Sequence, residues 1–208
     1  MYRFLSAAFL EPPSKTLIGT LSGEGFIERL EQVFGAKALE ELRRFIEEFD
    51  GDHESLAQEF HDLFTVPLGR YVTPYEAVYR DQRVVGDKLV QGLLMGPSTL
   101  AVKQLYQDAG AEVSEECKEL PDHVGLELAC MEYLCREEAR ALQQDGADCA
   151  QRARGLQKTL LREHLLEWVP ALCSRVRENA NSRFYRGIAS LAVTFIERDD
   201  TAVAALAT

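Results

Sequence analysis

Apolar residues recur at intervals of three and four along most of the chain, which is the spacing of one helix face. No stretch alternates apolar and polar residues convincingly enough to predict a strand. The predicted helices are one that ends before Pro12 and Pro13, one or two within 14–34, and one each over 36–49, 52–65, 97–109, 121–144, 148–179 and 182–197. Proline inside a helix bends or breaks it, so Pro170 should kink or divide the helix over 148–179. The pattern predicts an all-α protein, a compact bundle of roughly eight to ten helices.

Residues with helix-ending and helix-starting chemistry stand at several of these boundaries. Asp52 can cap the helix over 52–65, and Pro97 suits the first turn of the helix that it begins. Gly110 can close that helix, because glycine adopts the left-handed conformation of a C-terminal cap.

One segment breaks the helical pattern. The stretch VPLGRYVTPYEAVYRDQRVVGDK, which follows residue 65, contains three tyrosines together with prolines and glycines. Such a segment cannot form one regular helix. Long irregular segments in compact domains are often functional, although a packed surface loop is the alternative.

A second polar stretch, AEVSEECKEL, separates the apolar helices into two groups. We therefore expect two helical halves joined by a polar hinge within a single domain that spans the whole chain. Its parts are an N-terminal half at 1–110, a hinge at 111–121, a C-terminal half at 122–198 and a frayed tail at 199–208.

Charge and cysteine content narrow the function classes. The formal net charge of -11 disfavours nucleic acid as a partner, because phosphate binding needs a basic surface. The five cysteines are odd in number and include no CxxC pair, which indicates a reduced, cytoplasmic protein without a disulfide framework. The first apolar run lacks an Ala-x-Ala cleavage site, and no run is long enough to span a membrane, so neither export nor membrane insertion is expected.

The stretch ELPDHVGLE concentrates ionisable residues at a predicted helix start. His123 and Glu127 share a helix face, and with His164 they are candidate ligands of a helical metal-dependent hydrolase. The alternative is a helix cap, with Asp122 near the positive helix end and Glu127 bonded to His123. No phosphate-binding loop, dinucleotide fingerprint or nucleophile elbow is present, so we predict no enzyme activity and no cofactor.

A peptide-binding groove explains more features of the sequence than a metal-dependent hydrolase does. The stripe of Phe60, Leu63 and Phe64 would supply an apolar wall beside the tyrosine-rich segment, and carboxylates of 119–127 would line its edge. Such a groove would accept a peptide with arginines next to an apolar run. The alternatives are that the stripe belongs to the core and that the protein is a helical scaffold.

Two blocks of sequence resemble the TorD/DmsD/NarJ-type chaperones that mature molybdenum-containing redox enzymes. The block EFHDLFTVPLGRYVTPYEAVY is similar to the family segment of an aromatic residue, Leu-Phe, a loop and Pro-aromatic. The block ELPDHVGLELACMEYL is similar to the family's Glu-x-Pro-x-Asp-His block. The family often has tryptophan at the positions of Phe60 and Tyr75 and one more residue between the proline and Asp-His.

The resemblance implies an all-helical cytoplasmic chaperone without enzyme activity or cofactor. Such proteins bind the leader of a molybdopterin enzyme, often a twin-arginine signal peptide, and may dock on its catalytic subunit. They exist as monomers or domain-swapped dimers. The resemblance does not identify the client enzyme. The peptide-binding residues that it implies are Asp122, His123, Glu119, Pro121, Phe60, Leu63, Phe64, Pro74 and Tyr75.

Overall fold

A computed structural model describes residues 1–205, with the side chains of residues 85, 89 and 202–205 excepted. The α-helices are α1 Tyr2–Leu10, α2 Lys15–Leu21, α3 Phe26–Phe34, α4 Ala36–Glu48, α5 His53–Phe60, α6 Glu76–Arg80, α7 Pro97–Ala109, α8 Val124–Gln143, α9 Ala147–Thr159, α10 Leu166–Asn179 and α11 Arg183–Ala205. Two π-helical turns extend them: His61–Thr65 continues α5, and Leu160–Leu165 joins α9 to α10. Counted as continuous rods, these segments make ten helices within residues 1–205. The predicted all-α fold is confirmed.

A small hairpin departs from the helical prediction. Strands β1, Arg83–Val85, and β2, Lys88–Val90, pair antiparallel within the irregular segment. Gly86, between them, has φ of 63°, which a tight hairpin turn requires at its first position. Three-residue strands are too short to show a reliable alternating pattern, and for that reason the sequence did not reveal them.

The helix boundaries follow the chemistry of their end residues. Asp52 Oδ1 accepts from the backbone N–H of Ser55 at 3.0 Å, Pro97 begins α7, and Gly110 closes α7 with φ of 68°. The predicted start of α8 at Pro121 is wrong, because the helix begins at Val124 and His123 caps it.

The C-terminal helices also differ from the prediction. Pro170 lies inside α10, which continues through it. The departure from regular α-helix within 148–179 is the π turn Leu160–Leu165, just before α10. Proline has no N–H to donate to the carbonyl of Leu166, which weakens regular helix bonding there. The last helix runs to Ala205 rather than to about 197, so most of the predicted frayed tail is helical. Residues 206–208 lie outside the described residues.

One hydrophobic core includes helices from both predicted halves. Helix α1 packs on α8, where a Cβ atom added to Gly125 would lie 2.4 Å from Leu10 Cγ. Helix α4 packs on α11 in the same way, where a Cβ atom on Gly187 would lie 2.6 Å from Leu42 Cγ. The absence of a side chain at each glycine lets an N-terminal helix approach a C-terminal one. Within residues 1–205, no helix combines the length and apolar character that crossing a membrane requires.

Candidate functional site

The two sequence blocks that resemble the chaperone family meet in space. Residues 74–76 lie antiparallel to residues 122–124: the Val124 N–H donates to the Pro74 carbonyl, and the Glu76 N–H donates to the Asp122 carbonyl, both at 3.0 Å. The Tyr75 ring contacts the His123 ring edge-on, with centroids 5.3 Å apart. Pro74 and Tyr75 therefore lie directly beside Asp122 and His123.

His123 is a structural cap rather than an exposed ligand. Its side chain is buried, and its Nδ1 accepts from the Gly125 N–H at 3.1 Å, at the first turn of α8. Burial lowers the pKa of His123 to about 4. The imidazole is therefore neutral at neutral pH, and its other nitrogen, Nε2, carries the hydrogen.

Asp122 caps a different helix from the one that the sequence suggested. Its Oδ2 accepts from the Ala77 N–H at 3.0 Å in the first turn of α6, not of α8. The residue is fully buried, and this burial raises the pKa of its carboxyl group. Its Oδ1 and the nearby Thr99 Oγ1 are buried without a well-formed hydrogen bond.

Glu127 is buried within the core beneath the cap. Its Oε2 accepts from Trp168 Nε1–H at 3.2 Å, and its Oε1 has no partner. Burial, followed by the negative charge of Glu76, raises the pKa of Glu127 well above its ordinary value. The predicted bond between Glu127 and His123 is therefore replaced by one to Trp168, in surroundings that favour the neutral form of the carboxyl group.

Glu76 organises a second polar group that the sequence did not reveal. His164 Nδ1 lies 2.9 Å from Glu76 Oε2, and Arg80 donates to Glu76 Oε1 at 2.6 Å. Arg80 also donates to the Glu163 carbonyl at 2.5 Å, which fastens α6 to the π turn Leu160–Leu165. No local pattern predicts these contacts, because Glu76 and His164 are 88 residues apart.

The metal-hydrolase alternative does not fit this arrangement. His123 Nδ1 accepts a backbone hydrogen bond, burial raises the pKa of Glu127 and favours its protonated form, and His164 faces Glu76. Metal binding needs deprotonated carboxylates and a free nitrogen lone pair on each histidine. Across residues 1–205, no group of three or more His, Cys, Asp or Glu side chains is placed to hold a metal ion.

The aromatic stripe predicted as a groove wall lies in the core. Phe60 and Phe64 have ring centroids 5.4 Å apart, and Phe64 also contacts Phe9 of α1 and Tyr185 of α11. Leu63 is fully buried beside them. The core-stripe alternative therefore describes these residues. Asp122 and His123 are also buried, so they form no exposed edge beside residues 60–75, and their part in peptide binding stays a prediction.

An open cleft lies next to the motif instead. It has a volume of about 650 Å³ and lies between the ends of α1 and α7, the loop over 110–119 and one face of α8. Its apolar lining includes Leu10, Tyr106, Val113, Leu126, Ala129, Cys130 and Tyr133. Its charged lining consists of Glu11, Glu112, Glu116, Glu119 and Lys118, so four acids face one base. Of the nine predicted peptide-binding residues, Glu119 lines this cleft.

Hydrogen bonds connect the cleft to the buried motif. The Tyr75 hydroxyl donates to Glu119 Oε2, and the Tyr106 hydroxyl donates to the Pro121 carbonyl at 2.8 Å. The His123 N–H donates to the Leu120 carbonyl at 3.0 Å. The motif therefore fixes residues 119–121, which form one edge of the cleft. Sequence reasoning missed the rest of this site, because its other walls come from two helix ends and a polar loop without a shared pattern.

Comparison with known proteins gives consistent names. The family model described as nitrate reductase delta subunit matches residues 34–174. The chain is 29% identical over 161 residues to the chaperone protein TorD of Vibrio cholerae serotype O1, which covers 77% of this chain and 67% of the relative. It is 24% identical over 200 residues to the probable Tat proofreading chaperone DmsD of Haemophilus influenzae, covering 94% and 86% of the two chains. It is 31% identical over 125 residues to the selenate reductase assembly chaperone protein of Thauera selenatis, covering 60% and 58%.

Proposed function

The chain belongs to the nitrate reductase delta subunit family, and from this premise we propose that it binds the N-terminal leader of a molybdopterin-containing oxidoreductase. The relatives are named as chaperones, and these names support a role for the chain as a chaperone of molybdoenzyme assembly rather than as an enzyme. In this proposal the leader carries a twin-arginine motif, and the chaperone holds it during cofactor insertion and before export. The complex forms in the cytoplasm, where the five free cysteines stay reduced.

The observation that carries the proposal is the cleft with its four carboxylates and apolar floor. A twin-arginine leader presents two guanidinium groups followed by an apolar run. Guanidinium groups form strong paired hydrogen bonds with carboxylates. Burial of an apolar run against the apolar lining of the cleft removes it from water and stabilises the complex. The volume of about 650 Å³ is typical of sites that enclose a ligand.

The predicted residues take different roles in this proposal. Glu119 contacts an arginine of the leader directly. Tyr75 and Pro121 hold Glu119 in place, while Asp122 and His123 position the backbone behind it. Support for this division comes from burial, since Asp122 and His123 are 0% and 3% exposed and leave almost no side-chain surface for a peptide to contact. Pro74, Phe60, Leu63 and Phe64 support the site from the interior.

Calorimetric titration with a synthetic leader peptide tests the proposal. Glu116→Lys and Glu119→Lys should each weaken binding of an Arg-Arg leader by about tenfold, since each replaces an attraction by a repulsion. Glu115→Lys is the matched control, because it makes the same charge change in the same loop but does not line the cleft.

The control also defines the opposite result. Equal weakening by Glu115→Lys would mean that only the overall charge of the protein matters. Unchanged binding by Glu116→Lys and Glu119→Lys would place the leader elsewhere. A leader with both arginines replaced by alanine should bind the cleft variants and the control variant with equal affinity.

A further inference from the structure

Large apolar side chains are exposed along the segment from β2 to the first turn of α7. Leu93 is 65% exposed, Met95 69% and Leu100 63%. The full set, called here the hairpin surface, is Val90, Leu93, Leu94, Met95 and Leu100. The register of the hairpin places Arg83 and Lys88 on the same face as Val90 and places Val84 on the opposite face. Exposed apolar groups gathered in one region of a protein commonly mark an interaction surface.

Hydrogen bonds join both ends of the apolar turn over 93–97 to α6 and to the residue that follows α6. The Gly92 N–H donates to the Val78 carbonyl at 3.2 Å, and a Cβ atom at Gly92 would lie 1.9 Å from the Ala77 carbonyl oxygen. Met95 has φ of 61°, a region that residues with a side chain rarely adopt. Asp81 then accepts from the N–H of Ser98 at 3.0 Å at the start of α7. The apolar turn is therefore anchored at both ends and kept in solvent.

The charge around the hairpin surface is opposite to that of the whole protein. Residues 81–103 contain Arg83, Lys88 and Lys103 and the acids Asp81 and Asp87, a net charge of 3 − 2 = +1, while the chain as a whole carries -11. The chemistry that complements this surface is an apolar depression bordered by carboxylates.

The cleft next to Glu119 has that chemistry. Its floor is apolar, and four acids face one base around it. The two surfaces lie at opposite ends of α7: the hairpin surface precedes Pro97, whereas the cleft is lined by Tyr106 and Gly110. A helix of 13 residues is about 20 Å long, so one copy cannot place its own hairpin surface into its own cleft.

We propose that the hairpin surface of one copy docks into the cleft of a second copy. Each copy carries both surfaces, so the contact is heterologous and the assembly grows with protein concentration. Leu93, Leu94 and Met95 enter the apolar floor, while Arg83 and Lys88 face the carboxylates of the loop over 110–119. This self-association covers the cleft when no other ligand fills it, and it does not depend on the leader peptide.

Analytical ultracentrifugation of three proteins tests the contact. The wild-type protein should increase in average mass with concentration, and added salt should reduce the increase. In the hairpin variant, Leu94→Glu with Met95→Glu replaces apolar side chains of the hairpin surface by acids. In the cleft variant, Glu112→Lys with Glu116→Lys replaces two acids of the cleft by bases. Each variant alone should stay monomeric, with association at least about tenfold weaker than in wild type.

Mixing the two variants decides the question. The hairpin variant keeps an intact cleft and the cleft variant keeps an intact hairpin surface, so an equimolar mixture should form one-to-one heterodimers. Leu68→Glu is the matched control, because it places a glutamate at a leucine 75% exposed outside both surfaces and should leave association unchanged. A wild-type protein that stays monomeric, or a mixture that forms no heterodimer, would overturn the proposal. Circular dichroism spectra equal to wild type show that each variant is folded.

Discussion

At the scale of single residues, burial sets the charge of the motif. His123 is neutral at neutral pH because its burial lowers its pKa to about 4, whereas burial and the charge of Glu76 raise the pKa of Glu127 and favour its neutral form. Each group accepts a hydrogen bond inside the protein, His123 from the Gly125 N–H and Glu127 from Trp168 Nε1–H. The motif therefore stabilises the structure next to the cleft, and the cleft acids carry the exposed charge.

His123 should make the stability of the protein depend on pH. The folded state binds this proton only near pH 4, whereas an unfolded histidine has a pKa of about 6.5. Its stabilising effect is fully present above the unfolded pKa and is lost as pH falls through the folded pKa. When the pH falls from about 7.5 to about 4.5, the free energy of unfolding of wild type should decrease by about 2–3 kcal/mol more than that of His123→Asn. Urea unfolding at each pH measures this difference.

The asparagine variant is the reference because asparagine caps helices well and does not titrate. The raised pKa values of Asp122 and Glu127 favour the folded state as pH falls, but they are shared by both proteins and largely cancel in the difference. If the two stability curves run parallel, His123 does not titrate as its burial indicates.

The protein should tolerate replacement of the Glu127 carboxyl group by an amide of the same shape, but not truncation of the side chain. Glutamine keeps an oxygen that accepts from Trp168 Nε1–H, so Glu127→Gln should equal or exceed wild type in stability at pH 7. Its advantage should grow as pH rises, because a raised folded pKa stabilises wild type only at lower pH. Glu127→Ala leaves the indole unpaired in a cavity and should cost about 2–4 kcal/mol. Equal losses for both variants in urea unfolding would contradict a protonated Glu127.

Some of these residue roles can be read from sequence, and others cannot. Asp52 was predicted as a cap because its partner is three residues away. The partner of Glu127 is 41 residues away, at Trp168, and no local rule specifies such a pairing. Sequence located Asp122 and His123 as a distinctive pair, but exposure and partner choice depend on the packing of α6 and α8.

At the scale of elements, helix contacts depend on two glycines. Gly125→Ala should destabilise the protein by about 1–3 kcal/mol, because the added methyl group meets Leu10 Cγ at 2.4 Å and the Ser6 carbonyl oxygen at 3.2 Å. Gly155→Ala in α9 is the matched control, since nothing lies within 4 Å of the added atom. The control should gain up to about 1 kcal/mol from helix propensity. Thermal unfolding of both variants measures the contrast, and similar melting temperatures would show that α1 moves aside freely.

Most of the helices were predictable because their apolar residues recur with the period of a helix. The five-residue helix α6, the hairpin and the two π turns were not. Three-residue strands give too little pattern, and a π turn arises from how a helix packs rather than from residue type. The cleft was not predictable for a related reason. Its walls are the ends of α1 and α7, and only tertiary contacts bring helix ends together.

At the scale of the whole molecule, the two predicted halves share one core, and the hinge at 111–121 stays a prediction. A shared core should unfold as one unit. Trp168, the single tryptophan, is fully buried in the C-terminal half, whereas far-ultraviolet circular dichroism reports helices of both halves. The urea midpoints from tryptophan fluorescence and circular dichroism should therefore coincide. Two separate midpoints would show that the hinge divides the protein into independent units.

The packing of α1 on α8 has a consequence for synthesis of the chain. Ser6 donates to the Gly125 carbonyl at 2.8 Å, a contact between residues 119 positions apart. A ribosome adds about 5–20 residues per second, so roughly 6–24 seconds pass between translation of the two partners. During that interval Leu5 and Phe9, both buried in the finished protein, have no surface of α8 to cover them. The first helix of this chaperone therefore stays incompletely packed until α8 has been synthesised.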